Sequence, residues 1–398
     1  MKYIFIILLS FTVNFSIGQN LFINQLVLPL DTTKNNTIYQ YSDVHFGSTH
    51  FKLALPLKFY NGGFITNANK GNLSQLEKLN ISGGSIDLNI GGTIYKPNNK
   101  HIDGWYINMN WLQSAAIKYP QGLFNAIMDG NVNIDNTIDL SEINGHLRNH
   151  HKFSLGVIKS KWQYGLTIGS INKEINMSLN NNSSVLFDNP YEWDIALNGE
   201  INSSQPSTNN FTSNGISFGT DIIYKNQSNE KWLYSIGLNN FGILILNKNN
   251  PTYSIDTSFV FSGLSLQEWG NIDSSIANYS SVLDTSYKTN VTTLSPFTLA
   301  GNLQFKVNNS LSIYSIVKYT HLSQGNYSVS VGSYKQINDK ILIGSGLNYH
   351  GISTFQLELF SYYKRGKLNL GIKLNNLFGT IPSLGKSFGL QTFISWKL

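Results

Sequence analysis

The side chains that could carry chemistry are eight histidines, a sparse set of carboxylates, many serines and no cysteine. The missing cysteine excludes a thiol nucleophile, thiolate metal ligation and a disulfide framework. The histidines are His45, His50, His101, His146, His150, His151, His321 and His350, and no set of them forms the H-E-x-x-H pattern that turns two imidazoles toward one zinc ion. His146 and His150 stand four apart, but Arg148 and Asn149 between them read as loop. His150-His151 opens a strand, so alternation sends the two rings to opposite faces. Asp129, Asp135, Asp139 and Glu142 gather in one stretch without EF-hand spacing, which reads as a solvated loop. No G-x-S-x-G elbow accompanies the serines. His321 and His350 fall at strand ends, where a polar residue at an interface is a plainer reading than the base of a hydrolase. The sequence therefore predicts no catalytic, cofactor-binding or metal-ligating residue and no enzyme, and it leaves any ligand-binding residues open.

The elements that hold these side chains are unusual in composition. Of 398 residues only 13% are charged, about half the usual quarter, and Asn and Ser fill the gap. With 7 Trp, 21 Tyr and 23 Phe the chain is the reverse of a disordered one. The net charge of +6 is spread without a Lys/Arg run, so no nucleic-acid stripe is expected. Residues 1–18 combine a basic start, an apolar run from Tyr3 to Val13 and small residues at Ser16 and Gly18. That pattern predicts a secretory signal peptide cleaved after Gly18, because the apolar run is short of the ~20 residues a spanning helix needs. No later stretch is long and apolar enough to span as a helix, so an exported membrane protein of this sequence must span with strands.

Strand signals fill the chain. In Phe388–Leu398 the even positions Phe388, Leu390, Ile394, Trp396 and Leu398 are apolar around Thr392, while Gly389, Gln391, Ser395 and Lys397 on the other face are small or polar. Side chains alternate faces along a strand, so this strand lies between two different solvents. Closely spaced strands precede it from Phe297, with turn signals at Asn308-Asn309, Asn338-Asp339 and Arg365-Gly366. The first strand is predicted at Phe51–Phe59, with Pro56 at an edge or bulge. A short helix is predicted over Tyr119–Asn131, with Pro120 in its first turn and Gly130 after it. Lys173–Asn214 and Ile245–Leu294 read as long polar loops. Long excursions follow the first, third, fifth and seventh strands, and the intervening gaps are short. This segregation is the mark of an outer-membrane barrel, with short turns at the periplasmic end. The expected fold is all-β, a transmembrane antiparallel barrel of about 14 strands: residues 1–18 signal peptide, 19–50 an N-terminal plug or periplasmic segment, and 51–398 the barrel with long extracellular loops. Trp162, Tyr224, Trp232, Tyr349, Tyr363 and Trp396 are expected in aromatic girdles, and Leu370 on the lipid face. Gly156, Gly165, Gly169, Gly219, Gly237, Gly301, Gly332, Gly344, Gly346, Gly371 and Gly389 are expected at bends or tight packing in the wall, not in a phosphate cradle.

The texture of Tyr119–Asn131, the hairpin His151–Ile171, Ser235–Leu244, Thr252-Tyr253-Ser254 and Phe261-Ser262-Gly263 resembles the uncharacterised Bacteroidota outer-membrane proteins that look like relatives of the FadL-type transporters. The resemblance implies about fourteen strands, a plug and passage of a small hydrophobic ligand. It equally implies, as an alternative, a non-transporting scaffold or a partner in type IX secretion that holds another protein at its long loops. The transport reading expects a lumen lined by aliphatic and aromatic side chains, with Ile158, Leu342 and Phe393 pointing inward. The partners expected are outer-membrane lipid, a small hydrophobic ligand or a protein at the extracellular loops.

Overall fold

The computed structural model describes residues 36–61, 65–66, 79–96, 101–129, 137–189, 192–204, 214–226, 231–246, 251–261, 286–288, 292–321 and 327–398. In chain order the strands are β1 (Thr37–Ser48), β2 (Leu79–Tyr95), β3 (Gly104–Pro120), β4 (Thr137–Asp139), β5 (Asn144–Lys159), β6 (Trp162–Leu179) and β7 (Ser184–Asn189). They continue with β8 (Glu192–Ser203), β9 (Gly215–Asn226), β10 (Trp232–Leu246), β11 (Pro251–Phe261), β12 (Ser286–Lys288), β13 (Thr292–Leu294) and β14 (Thr298–Lys306). The last are β15 (Leu311–Thr320), β16 (Tyr327–Gln336), β17 (Ile341–His350), β18 (Ser353–Arg365), β19 (Leu368–Leu374) and β20 (Ser387–Lys397). Two short helices, α1 (Ala54–Asn61) and α2 (Gln121–Asp129), lie among them.

Fourteen strands make the wall: β1, β2, β3, β5, β6, β9, β10 and β14 to β20, each antiparallel to its neighbours. The wall closes where β20 pairs with β1, from Thr37↔Lys397 to Gly47↔Ser387. Closure gives every wall strand two partners, which a hydrocarbon surround demands of backbone polar groups.

The turns follow from local chemistry. Asn308 and Asn338 each accept two following backbone N–H groups through Oδ1, at 2.8 to 2.9 Å, closing the β14–β15 and β16–β17 turns. Gly366 takes the left-handed φ of +57° that the two-residue β18–β19 turn requires. These short connections share one rim with the start of β1 and the end of β20. The long ones, 49–78, 121–143, 180–214, 247–297 and 375–386, share the other. The predicted segregation by parity is observed.

Three expectations are corrected. Thr37–Ser48, assigned to a plug, is wall strand β1. Its outward row holds Gln40 and Ser42 beside Ile38 and Val44, so no clean apolar face marks it, and Ser42 Oγ is answered by Thr392 Oγ1 at 2.5 Å. The rest of the expected plug, 19–35, and the signal peptide lie outside the described residues. Phe51–Phe59 is not a strand: Ala54–Asn61 is helical, and Pro56 sits in the first turn, where its missing N–H leaves no bond unmade. Leu53 and Leu55 are buried at the loop rim, with Leu53 N–H donating to Gly385 O at 2.9 Å. The strand count stands because β1 replaces that segment.

Lys173–Asn214 and Ile245–Leu294 are not simply loops. β6 runs on beyond the wall, and β7, β8, β11 and β12 pair into a ledge above the loop rim. The ledge buries its own core of Ala126, Ile138, Leu140, Ile143, Leu179, Val185 and Ile255. Outward wall positions are mostly apolar beyond β1, with Leu155, Leu166, Ile168 and Leu347 half-exposed or more. Aromatic clusters border this belt: Trp162, Tyr164, Tyr224, Trp232, Tyr234 and Phe305 toward the short-turn rim, and Tyr327, Tyr349 and Phe355 toward the loop rim. A closed wall with this belt and these girdles is the build of a membrane-spanning barrel.

Candidate functional site: a polar chamber in the lumen

The lumen is layered. Its short-turn half packs Tyr314, Ile316, Tyr334, Leu342 and Phe360 in one cluster and Tyr39, Tyr41 and Phe393 in another, with Tyr362 against both. Ile158, Leu342 and Phe393 point inward as expected, at 5% exposure or less. At the loop rim Leu55, Tyr119 and Phe124 form a second apolar group, with Phe51 stacked on Phe124 at 5.9 Å.

Between these layers the expected aliphatic lining is replaced by a polar chamber of about 180 Å³. Asp43, Asp87, Asn89, Asn110, Arg148, Lys152, Asp221, Asn239, Asn240, Lys318 and His350 all line it. The register places Asp43 directly opposite Asp87, a like-charge pair that is unfavourable by itself. Amides answer it: Gln391 Nε2 donates to Asp43 Oδ2 at 3.1 Å, and Asn89 and Asn110 donate to Asp87 Oδ1 at 2.6 and 2.5 Å. The Lys318 ammonium, rooted on β15 across the lumen, lies within electrostatic reach of both carboxylates. Arg148 Nε donates to Glu174 Oε2 at 2.7 Å with both side chains 3% exposed, and Lys373 Nζ reaches Glu358 Oε2 at 2.7 Å.

A repeated device knits the barrel wall around the chamber, which its rows meet at Asp221 and Asn108. Tyr106, Gly156, Gly165 and Asp221 are successive cross-strand partners on β3, β5, β6 and β9. The Tyr106 ring lies over the two glycines, where a Cβ would collide with it, and its hydroxyl donates to Asp221 Oδ2 at 3.4 Å. Tyr314, Gly332, Gly346 and Glu358 repeat the row on β15 to β18, with the Tyr314 hydroxyl donating to Glu358. Tyr39 crosses Gly91 to donate to Asn108 Oδ1 at 2.7 Å. Of the strand glycines expected at bends or tight packing, Gly156, Gly165, Gly332 and Gly346 are therefore grooves for tyrosines. No sequence signal shows this, because the rows exist only in the register of neighbouring strands.

His45, His146, His150 and His350 are brought inside the barrel. His146 and His150 lie in β5, not in a loop, and both face the lumen; His150 Nε2 sits 3.0 Å from Ser217 Oγ. His151 faces outward beside Trp111, as alternation predicts. His350 packs against His45 at a tilt, with ring centroids 4.3 Å apart. His321 stacks on Phe297. Glu142 pairs with Lys118 at 2.9 Å, Asp139 caps Ser141 N–H at 2.8 Å, and Asp135 lies outside the described residues. Among the described residues no group of three or more His, Asp and Glu is placed to hold a metal ion.

Fold and lumen together define the class: a membrane-spanning β-barrel with a polar chamber. The chain belongs to the Family of unknown function (DUF5723), whose model matches residues 40–372. No curated protein matches it in sequence. Among solved structures it is similar to the Ralstonia pickettii toluene transporter TbuX, at 10% identity and a TM-score of 0.40 over 92% of this chain and 89% of that one. It is similar also to the Pseudomonas putida toluene transporter TodX, at 9% identity and 0.39 over 92% and 91%. A third is the translocator domain of autotransporter NalP from Neisseria meningitidis, at 6% identity and 0.30 over 92% and 90%. Likenesses this loose bear on neither cargo nor mechanism.

Proposed function

We propose that this protein sits in an outer membrane and passes a small molecule through its lumen. The apolar belt and paired aromatic girdles support the location. The observation that carries the passage is the chamber itself, a solute-sized polar space between an apolar group at the loop rim and an aromatic layer below. The two apolar layers suit the hydrophobic solute that the sequence resemblance implies. The chamber between them does not: a purely apolar occupant would leave the buried amide oxygens of Asn239 and Asn240 without partners, at about 1–3 kcal/mol for each group stranded. The solute that suits both is compact, with an apolar frame and hydrogen-bonding groups. The test is uptake by cells whose outer leaflet is intact lipopolysaccharide, with and without the barrel. The solutes are toluene, benzyl alcohol and a pentose. The hydroxylated solutes should enter faster with the barrel present; unchanged uptake of all three sinks the reading.

A second reading, the scaffold, is favoured by the ledge, whose independent core gives it a fixed surface beyond the membrane. Native mass spectrometry of protein drawn from its own membrane separates the two. A stoichiometric protein partner supports the scaffold, and a bound small molecule alone supports passage.

A further inference from the structure

Strand β10 breaks its own alternation where it meets the chamber. Its pairing with β9 jumps from Leu238 to Phe241, so Asn239 and Asn240 form a bulge, and both line the chamber. Bulges re-aim side chains and concentrate at functional sites. Asn240 takes a φ of +57°, a left-handed conformation that non-glycine residues adopt at a cost and asparagine tolerates best. It is held there by Asp221, whose Oδ1 accepts the Asn240 N–H at 2.7 Å. Asp221 is in turn fixed by Tyr106 and by Thr167, whose Oγ1 donates at 3.0 Å.

The orientation of the Asn240 amide is determined by its neighbours. Nδ2 donates to Pro296 O at 2.8 Å and to Ser295 Oγ at 2.6 Å, and the Pro296 carbonyl can only accept. The opposite end, Asn240 Oδ1, is buried without a hydrogen-bond partner, on a side chain 4% exposed. Asn239 Oδ1 is also buried without one. Two buried acceptors on adjacent chamber-lining residues, with nothing donating to them, call for a ligand that donates.

We propose that the Asn239–Asn240 bulge is a recognition site for a neutral, hydroxyl-bearing solute, a polyol or sugar. The inference deepens the passage reading and rests on it for the solute's access to the chamber. Neutrality follows from the surroundings. Arg148 is engaged by Glu174, and Asp221 already accepts from Tyr106, Thr167 and the Asn240 backbone. A bare cation at the amide oxygens is opposed by the Lys152 ammonium, which donates to the same Pro296 carbonyl at 3.3 Å. At the two amide oxygens themselves a carboxylate would meet acceptors instead of donors, and the Lys152 ammonium is turned to the Pro296 carbonyl. Hydroxyl groups match both amide oxygens without adding charge.

The test is isothermal titration of the full-length barrel in detergent micelles with glycerol, xylitol and D-glucose. Glycine betaine, which is zwitterionic and has no hydroxyl, is the comparison. At least one hydroxylated probe should bind, and betaine should not. Asn240→Gly keeps the left-handed backbone and deletes the amide, and Asn239→Leu deletes the other acceptor; each should weaken binding about tenfold. Asn198→Ala on the ledge should change nothing. Should Asn240→Gly fail to fold, Asn239→Leu decides. The inference is overturned if no polyol binds, which is also the result if water alone answers these oxygens. It is overturned equally if betaine binds as well, or if the variants bind like the parent. Binding of a polyol without its uptake by cells would remove the passage reading and leave the site. Uptake of a pentose by the parent and both variants alike would do the reverse.

Discussion

Glu358 shows how a charge is kept inside a barrel wall. It is fully buried, and it is met by the Lys373 ammonium at 2.7 Å, by the Tyr314 hydroxyl and by Ser330 Oγ at 3.2 Å. A buried pair of this kind contributes little net stability, but removing one partner leaves the other charge stranded. Glu358→Gln should therefore lower the unfolding free energy by about 3–5 kcal/mol, read by urea unfolding in lipid vesicles. The double variant Glu358→Gln with Lys373→Met should recover most of the loss. A single variant as stable as the parent would mean that the ammonium finds water or another acceptor. Asp221 plays the same part on the opposite wall, with an added duty: its second oxygen holds the bulge.

At the scale of elements, the wall is knit by tyrosines lying in glycine grooves. The rows Tyr106–Gly156–Gly165–Asp221 and Tyr314–Gly332–Gly346–Glu358 each tie four adjacent strands at one height. A side chain at Gly165 would occupy the place of the Tyr106 ring, whereas a methyl group at Gly301 would meet nothing nearer than Ser235 O at 3.9 Å. Gly165→Val should cost about 1–3 kcal/mol through forced displacement of the ring. It should lower the temperature at which the closed barrel changes its gel mobility in SDS. Gly301→Ala should leave that temperature unchanged. Equal shifts in both would show that the glycines serve the backbone and not the rings.

For the whole molecule the question is which face meets lipid. Leu370 points outward as expected, but it pairs with Tyr363 and Ile394 one step in from the short-turn rim, near the girdle and away from the midplane. Leu166 is a better probe. It is 69% exposed, two outward positions beyond Trp162, in the middle of the apolar belt. Leu166→Arg should destabilise by about 2–4 kcal/mol in vesicle refolding, the cost of an arginine at the bilayer midplane, and Leu370→Arg by less. Equal costs at the two sites would place the belt elsewhere on the wall.

Much of this architecture can be read from the chain because its causes are local. Alternation has a period of two, so Phe388–Leu398 announces a strand between two solvents without reference to any other strand. Asn308, Asn338 and Gly366 announce turns because their own side chains or backbone make them. The parity of long and short connections then implies closure. What depends on partners distant in sequence stays hidden. β1 reads as a plug because its outward Ser42 is answered by Thr392, 350 residues away. Phe51–Phe59 alternates like a strand, yet nothing in the sequence shows that a helix there could bury Leu53 and Leu55 at the loop rim. The ledge core is masked by an Asn/Ser background. The chamber is the least legible, since Asp43 meets Asp87, Tyr106 finds its glycines and Asn240 turns toward Pro296 only once the register of fourteen strands is set. Alternation assigns each side chain to a face; closure decides which side chains share the space within.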